Sequence, residues 1–312
     1  MSVPALFSRC GTRLTIKPPG VGLRVYLVMD FIEHDLKTLS DSMHEPFLQS
    51  EIKTLLLQLV SATALMHSHW IVHRDLKTSN LLMNNRGQIK VADFGLARFT
   101  GDPRPPLTQL VVTLWYRSPE LLLGAKEYGP EVDMWSIGCI FGELLSKEPI
   151  LQGKTEVDQI SKIFALLGVP TESSWPSFRR LPHAKSLTFP RTQSTTSSLL
   201  RTRFPLLTNA GIDLLSRLLA LDPAKRISAE DVLQHHYFCE DPKPKREEMF
   251  PTFPSKAGGE RRRRHDTPGA PRGGVGEGGW DEAADSDGKP MGILVGRDAE
   301  EVGGGFMLKL AR

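Results

Sequence analysis

The sequence predicts an α+β fold that is mainly helical, and three observations carry that expectation. From Pro46 onward Phe47, Ile52, Leu55, Leu56, Leu59, Ala62, Leu65 and Met66 recur at threes and fours, which lays one apolar stripe along a helix. Val132 to Leu145 is apolar almost all round, with Met134, Trp135, Ile137, Cys139, Ile140, Phe141 and Leu144, the pattern of a helix buried inside a large domain. Only short strand-like runs lie between helical segments, and the most compact, Val25-Tyr26-Leu27-Val28-Met29, is β-branched and apolar and stops at Asp30.

In chain order, Met1 to Arg24 shows no sustained period and carries Pro4, Pro18, Pro19 and several glycines, so residues 1–24 read as an irregular arm. Residues 25–35 follow as a strand and its turn. The helix after Pro46 is expected to open at Gln49 or Ser50, and the Val132–Leu145 helix to be the spine of a body spanning 36–240. Further helices are expected at Val157–Leu167, Asn209–Leu219 and Ala229–His235, the last with Ser228 as N-cap and Asp231 placed to favour the helix dipole. Tyr237 and Phe238 read as core anchors at its end, and 241–254 as an extension of the body. Beyond Phe253 the composition turns to Gly, Arg, Pro and Asp with few large apolar residues until Phe306, so 255–312 cannot offset its ordering entropy and is expected to be disordered.

At 312 residues the chain is long enough to bury a sizeable core. Its 39 Lys and Arg against 36 Asp and Glu leave a formal charge of +3, too slight for a nucleic-acid footprint, so no direct nucleic-acid binding is expected. Cys10, Cys139 and Cys239 are odd in number and far apart, which offers no disulfide framework and suits a reducing compartment, nucleus or cytoplasm. There is no run of about 18 apolar residues, so no membrane partner is expected. Arg261 to Arg264, preceded by Lys256, read as a nuclear-import or acidic-surface patch, or as a solvated charge run.

The chemistry is carried by His73-Arg74-Asp75-Leu76-Lys77-Thr78-Ser79-Asn80, by Asp93-Phe94-Gly95 after a short strand pair, and by Ser118-Pro119-Glu120. These strings resemble the catalytic loop, metal-binding turn and activation-segment end of protein kinases; each is weak alone, and their order and separation are specific. Phosphoryl transfer asks a protein to position a hydroxyl, hold Mg²⁺ and spread the charge of the moving group. In that reading Asp75 accepts a hydrogen bond from the substrate hydroxyl, Lys77 neutralises the transferring phosphate, and Asn80 turns back as a neutral oxygen ligand for the metal. Asp93 supplies the carboxylate for Mg²⁺, since hard cations select oxygen donors, and Gly95 lets the backbone turn there. Read merely as turn and cap residues, Asp75, Asn80 and Asp93 would need three unrelated strings to fall in register by chance. His73 reads as a packed, backbone-bonded histidine rather than a base.

From about Val25 to Pro254 the chain resembles the cyclin-dependent serine/threonine kinases, with Val111-Val112-Thr113-Leu114-Trp115-Tyr116-Arg117-Ser118-Pro119-Glu120 similar to their substrate-docking segment. Glu33-His34-Asp35-Leu36-Lys37, Lys77-Thr78-Ser79-Asn80, Gly124-Ala125-Lys126-Glu127-Tyr128 and Met249-Phe250-Pro251-Thr252-Phe253-Pro254 narrow the resemblance to the PITSLRE-type subfamily. It implies a protein-kinase-like fold, ATP and Mg²⁺ as cofactors, a cyclin as partner, and protein substrates phosphorylated at Ser or Thr before proline, in cell-cycle, transcription or RNA-processing control. Position by position, it implies Met29 as gatekeeper, backbone contacts from Asp30 and Ile32 to adenine, Asp35 near the ribose, Leu82 as the floor under the base, and Thr113 among the catalytic residues. Thr108 falls at the activating phosphorylation position, with Arg74 and Arg98 to clamp its phosphate, although Gln109 follows where proline is usual. Glu120 and Arg226 are expected to form a buried structural bridge, Asp133 to hold the catalytic-loop backbone, and Ser118 to be a tolerated replacement of alanine.

A glycine-rich loop, a strand lysine and a PITSLRE-like helix are not found before Val25, and residues 1–24 contain no glutamate. The expectation is therefore a helical C-lobe with most of the β-rich N-lobe absent and the cyclin-docking helix missing. Each lost charge-assisted phosphate contact weakens binding by about 1.5–3 kcal/mol, so poor ATP binding and little transfer are expected of the chain as it stands. Two explanations are open, a real short isoform or an incomplete gene model, and the irregular first residues favour the second. The alternative function is a noncatalytic kinase-like binding protein that keeps the substrate-docking surface. Gly274, Gly276 and Gly279 have glycine-loop spacing without a preceding strand, and Gly153-Lys154-Thr155 lacks the first glycine of a P-loop, so neither reads as a nucleotide loop.

Overall fold

Two antiparallel strands begin the fold, β1 (Cys10–Ile16) and β2 (Arg24–Met29), paired from Cys10 opposite Met29 to Ile16 opposite Arg24. The computed structural model describes residues 10–16, 24–100, 113–176, 178–184 and 198–253, all within one compact unit. The first strand corrects the irregular arm expected over residues 1–24 and the lone hinge strand expected after it. The run Thr12-Arg13-Leu14-Thr15-Ile16 is rich in strand-favouring residues but too short to show a period, and the ladder to β2 supplies the backbone partners that an isolated strand lacks. The tail after 253, with Gly274, Gly276 and Gly279, lies outside the described residues.

After the turn at Phe31, β3 (His34–Asp35) leads into α1 (Leu36–Ser42), whose N-cap is Asp35: its Oδ1 accepts the Thr38 N–H at 2.7 Å. The long α2 (Gln49–Ser68) buries Ile52, Leu55, Leu56, Leu59, Ala62 and Met66 along the expected stripe. It opens at Gln49, one of the two expected starts, with Leu48 as the N-cap residue, and the Glu51 carboxylate accepts the Leu48 N–H at 2.9 Å, doing the work of a polar cap. Then come β4 (Ile71–Val72), β5 (Leu81–Met83), β6 (Ile89–Val91) and β7 (Arg98–Phe99). They make a three-stranded antiparallel sheet in the order β3-β5-β6 and a separate β4–β7 pair.

The rest of the body is helical. Short α3 (Pro119–Leu122) precedes α4 (Glu131–Ser146), in which every residue from Val132 to Leu144 is buried, so it is the expected spine. Removing side chains such as Trp135, Ile140 and Phe141 from water contributes about 1.5–3 kcal/mol each. Gly138 is small for a reason: a Cβ there would stand 2.7 Å from Leu219 Cδ2. Around α4 lie α5 (Glu156–Leu167), α6 (Leu200–Arg203), α7 (Asn209–Leu218) and α8 (Ala229–Leu233). Thr155, Thr208 and Ser228 cap α5, α7 and α8 through their side chains, so Gly153-Lys154-Thr155 is a helix entry. The last helix ends at Leu233, short of the expected His235, and Tyr237 is then buried against Phe141 with ring centres 5.4 Å apart.

Residues 241–253 run back over α2 toward the hinge. Lys245 donates its N–H to Ser50 O at 3.0 Å and its Nζ to Glu51 at 2.7 Å, Phe250 packs over Gly87, and the Phe253 N–H reaches Asn85 Oδ1 at 3.0 Å. Because Gly87 has φ +72° and a Cβ there would lie 2.7 Å from Phe250, the β5–β6 turn and the returning segment fit together only with glycine.

Candidate functional site

The first turn of α4 builds the loop that matters most. Asp133, fully buried, accepts the backbone N–H groups of His73 at 2.9 Å and Arg74 at 2.8 Å, and pairs with His67 at 2.9 Å. Those bonds hold Arg74 in a left-handed conformation, φ +69°, that a free chain seldom adopts. The loop is thereby turned so that Asp75, Lys77 and Asn80 converge. Lys77 Nζ donates to Asp75 Oδ2 at 2.9 Å, and Asn80 Nδ2 donates to the same oxygen at 3.1 Å and to the Asp75 carbonyl at 2.8 Å. Both side-chain donors go to Oδ2, which leaves Oδ1 to accept a hydroxyl. The donor end of the Asn80 amide is committed to Asp75, which leaves its carbonyl oxygen as the end able to meet a cation.

Beside this loop stands the turn at Asp93. The Ala92 N–H donates to Asn80 O at 2.9 Å, so the two segments adjoin. Asp93 is left-handed, φ +61°, exposed, and folds its Oδ1 over the Gly95 N–H at 3.3 Å. His73 joins the pieces: it is fully buried, its Nε2 bonds Ala92 O at 3.1 Å, its Nδ1 accepts the Asp75 N–H at 3.3 Å, and its ring lies 4.9 Å from that of Phe94. Burial holds its pKa below the usual histidine value against the pull of Asp133, so the ring is a neutral brace between loop and turn. Among the described residues no three His, Cys, Asp or Glu cluster to form a metal cage. A carboxylate and an amide oxygen on adjoining segments fit magnesium, which takes one or two protein oxygens and completes its shell with phosphate and water.

The hinge residues follow β2 and run into β3. Met29 ends β2 and is half exposed, and the Asp30 carboxylate is held by Lys90 Nζ at 3.0 Å. Asp35 lies directly opposite Leu82 across the β3–β5 ladder, so the proposed ribose contact and the proposed floor are neighbours. Ile32, in the turn between them, is half buried. Thr113 stands exposed just before the turn Leu114–Tyr116, with no hydrogen bond to Asp75 or Lys77 among the described residues. Thr108, Gln109, Val111 and Val112 lie outside the described residues.

Arg74 and Arg98 share one edge, since Val72 pairs with Arg98 across β4–β7. Arg74 donates Nε to Leu96 O at 2.7 Å and Nη1 to Tyr128 OH at 2.6 Å, while its buried Nη2 has no partner among the described residues. Arg98 Nη1 caps the Ala97 carbonyl at 2.8 Å. Deeper, Glu120 and Arg226 form a two-pronged pair at 2.8 and 3.0 Å. Ser118 is buried and its hydroxyl finds no partner among the described residues. Ser118→Ala is therefore expected to be neutral or to stabilise by about 1 kcal/mol, read as a rise in thermal midpoint, because the orphan hydroxyl carries a desolvation cost that the methyl does not.

Sequence reading missed Glu143, Tyr116, Thr78 and Lys90. Glu143 accepts Tyr116 OH at 2.6 Å and Thr78 Oγ1 at 3.1 Å. Burial pushes its pKa up, and Tyr116, Lys37 and Thr78 pull it back. A glutamate in the apolar stretch that follows Asp133 in α4 was the available signal. Lys90 gave none, for its pairing with Asp30 depends on how β6 meets the hinge.

Comparison with known proteins places these features. The profile of the protein kinase domain matches residues 22–238. The chain is 62% identical over 236 residues to the serine/threonine-protein kinase ppk23 of Schizosaccharomyces pombe, covering 76% of this chain and 59% of that protein. It is 49% identical over 290 residues to human cyclin-dependent kinase 11B, covering 92% of this chain and 36% of that one, and 53% identical over 235 residues to cyclin-dependent kinase G-1 of Oryza sativa subsp. indica, covering 74% and 34%. The chain thus spans between about a third and three fifths of these relatives. Among solved structures it is similar to a chain of the yeast RNA Pol II CTD kinase CTDK-1 complex, with TM-score 0.71, 36% identity, and 78% of this chain and 79% of that one covered. The match from residue 22 does not confirm that most of an N-lobe is absent.

Proposed function

This chain belongs to the protein kinase family, and from that membership and the convergence of Lys77 and Asn80 on one oxygen of Asp75 we propose that it is a cyclin-dependent serine/threonine kinase, moving the γ-phosphate of ATP to protein hydroxyls. Asp75 Oδ1 takes the hydrogen bond of the incoming hydroxyl and aims its oxygen at the phosphorus. Lys77, fixed by Asp75, faces the charge that accumulates on the moving group. Asn80 and Asp93 hold Mg²⁺, which when bound neutralises the phosphate oxygens. The backbone of Asp30 and Ile32, with Met29 as gatekeeper and Leu82 as floor, seats the adenine, and Asp35 meets the ribose.

Thr108 is the regulatory position. Arg74, whose Nη2 has no partner among the described residues, and the neighbouring Arg98 supply guanidinium groups for its phosphate. The substrate residue after the acceptor is proline, the partner is a cyclin, and the protein works in nucleus or cytoplasm. In domain terms, 36–240 is the catalytic body, 241–254 its extension and 255–312 a separate tail. Among the described residues no helix is long and apolar enough to cross a membrane.

The similar yeast structure is of an RNA Pol II CTD kinase, so a Ser-Pro peptide from that CTD is a fitting probe. With a cyclin present, the 312-residue protein is expected to label it from γ-labelled ATP slowly, since no glycine-rich loop, strand lysine or PITSLRE-like helix is found before Val25, and chelating Mg²⁺ or making Asp93→Asn is expected to lower even that rate by at least about a hundredfold, as loss of the metal's charge stabilisation demands. Calorimetry with ATP and Mg²⁺ measures the nucleotide half separately. Nucleotide binding without any labelling would overturn the kinase reading in favour of a noncatalytic docking role.

A further inference from the structure

Asn85 enters none of the steps above, yet two distant segments meet on one of its atoms. Its Oδ1 accepts the Phe253 N–H at 3.0 Å and lies 3.3 Å from His34 Nε2. A backbone N–H can only donate, so the atom facing both groups is the amide oxygen, and His34 carries its proton on Nε2. The His34 ring is 8% exposed and meets the Phe253 ring edge-on, with centres 6.1 Å apart. Phe253 closes a returning segment that is fastened along its length: Thr54 Oγ1 donates to Lys245 O at 2.6 Å, Gln88 Nε2 donates to Glu247 Oε2 at 3.0 Å, and Phe250 is buried against Gly87. The turn that carries Asn85 is also gripped by α2, where Gln58 donates to Gly87 O at 2.9 Å and accepts the Ile89 N–H at 2.6 Å.

What this junction holds is β3, a strand of two residues of which the second is Asp35. Two ladder positions, His34 opposite Met83 and Asp35 opposite Leu82, hold a register weakly, and a slip by one residue would turn Asp35 to the opposite face. Tying the His34 side chain to a turn that is itself fixed from α2 and from the returning segment removes that freedom. The consequence falls on the Asp35 carboxylate. Its Oδ1 is spent on the Thr38 N–H at 2.7 Å, which leaves Oδ2 for a ribose hydroxyl, and the direction of that oxygen follows the seat of β3.

Resting on the reading of Asp35 as the ribose contact, we propose that Asn85 is a positioning residue for the nucleoside, holding β3 in register by joining His34 to the returning segment at Phe253. Asn85→Leu keeps the volume and removes the acceptor, whereas Asn85→Asp keeps an oxygen for both donors. Adenosine and adenine are the probes, because they differ by the ribose and neither carries a phosphate. In calorimetry on the full 312-residue protein, adenosine is expected to bind more tightly than adenine. Asn85→Leu is expected to weaken adenosine about tenfold and adenine less than about twofold, while Asn85→Asp stays within about twofold of the parent for both. His34→Phe cuts the same bond from its other end and is expected to repeat the Asn85→Leu pattern. Amide hydrogen exchange at residues 34–36 is expected to rise about tenfold in both, with α4 unchanged. Equal weakening of the two ligands overturns the proposal, since a merely structural residue would act on both, and so does Asn85→Asp behaving like Asn85→Leu. A ribose preference that survives Asn85→Leu sinks the proposal alone. A parent protein that binds adenosine no better than adenine sinks the ribose reading of Asp35 and the proposal with it.

Discussion

Replacing Asp75 by asparagine is expected to lower peptide phosphorylation by about a hundredfold to ten-thousandfold, the range lost when a positioned proton acceptor is removed. The geometry explains why so small a change has so large an effect. In the parent protein one carboxylate oxygen already takes Lys77 at 2.9 Å and Asn80 at 3.1 Å. An amide at position 75 has one oxygen only. If that oxygen keeps Lys77 and Asn80, the amino group faces the substrate hydroxyl and offers it a donor instead of an acceptor. If the amide flips, two donors are turned on Lys77 and Asn80, and the loop loses its convergence. Neither arrangement reaches the hinge, so nucleotide affinity measured by calorimetry should stay within about threefold, and the thermal midpoint should barely move because asparagine keeps the size and shape of the Asp75 side chain. A rate within tenfold of the parent, with ATP bound as before, would show that Asp75 does not receive the hydroxyl.

How much of this was legible beforehand depends on the range of the interaction. The helices of the body were readable because an apolar stripe such as Ile52, Leu55, Leu56, Leu59 declares its buried face within two turns, and α4 declared itself by having no polar face. Asp75, Asn80 and Asp93 were readable as a set because their chemistry is written in short strings. Strand β1 was not, since seven residues with a glycine carry no decisive period and their pairing with β2 is a long-range choice. The cap of α2 at Leu48 was not legible because it is a reach-back by Glu51 rather than a side chain at the cap itself. The bonds of Glu143 to Tyr116 and Thr78 depend on three segments separated by dozens of residues, so a sequence could raise only the question of why a glutamate sits in an apolar stretch.

The same long-range logic governs the second large effect, at the pair Glu120 and Arg226, where loss of either partner is expected to destabilise the fold by about 3–5 kcal/mol. The Arg226 side chain is 0% exposed and all its donor nitrogens are engaged: Nη1 with Glu120 at 2.8 Å and the Glu131 carbonyl at 2.7 Å, Nη2 with Glu120 and the Ala220 carbonyl, Nε with the same carbonyl at 3.1 Å. Its guanidinium lies 5.2 Å over the Trp135 ring. Arg226→Leu would leave a buried carboxylate and two carbonyls without donors, and Glu120→Ala would leave a buried cation without its counterion. Arg226→Lys should be nearly as damaging, since an ammonium cannot span both carboxylate oxygens and two carbonyls from one plane. For a body of this size, about 2–4 °C per kcal/mol translates the loss into a fall of roughly 10 °C in melting midpoint. Because Glu120 sits in the first turn of α3, directly after the segment that carries Tyr116 and Ser118, limited proteolysis of that segment should accelerate as well. Replacing both partners by apolar residues of similar volume should recover much of the lost stability, since the two desolvation costs vanish together. Single variants that melt within two degrees of the parent would mean that the pair is not what closes α3 onto α4.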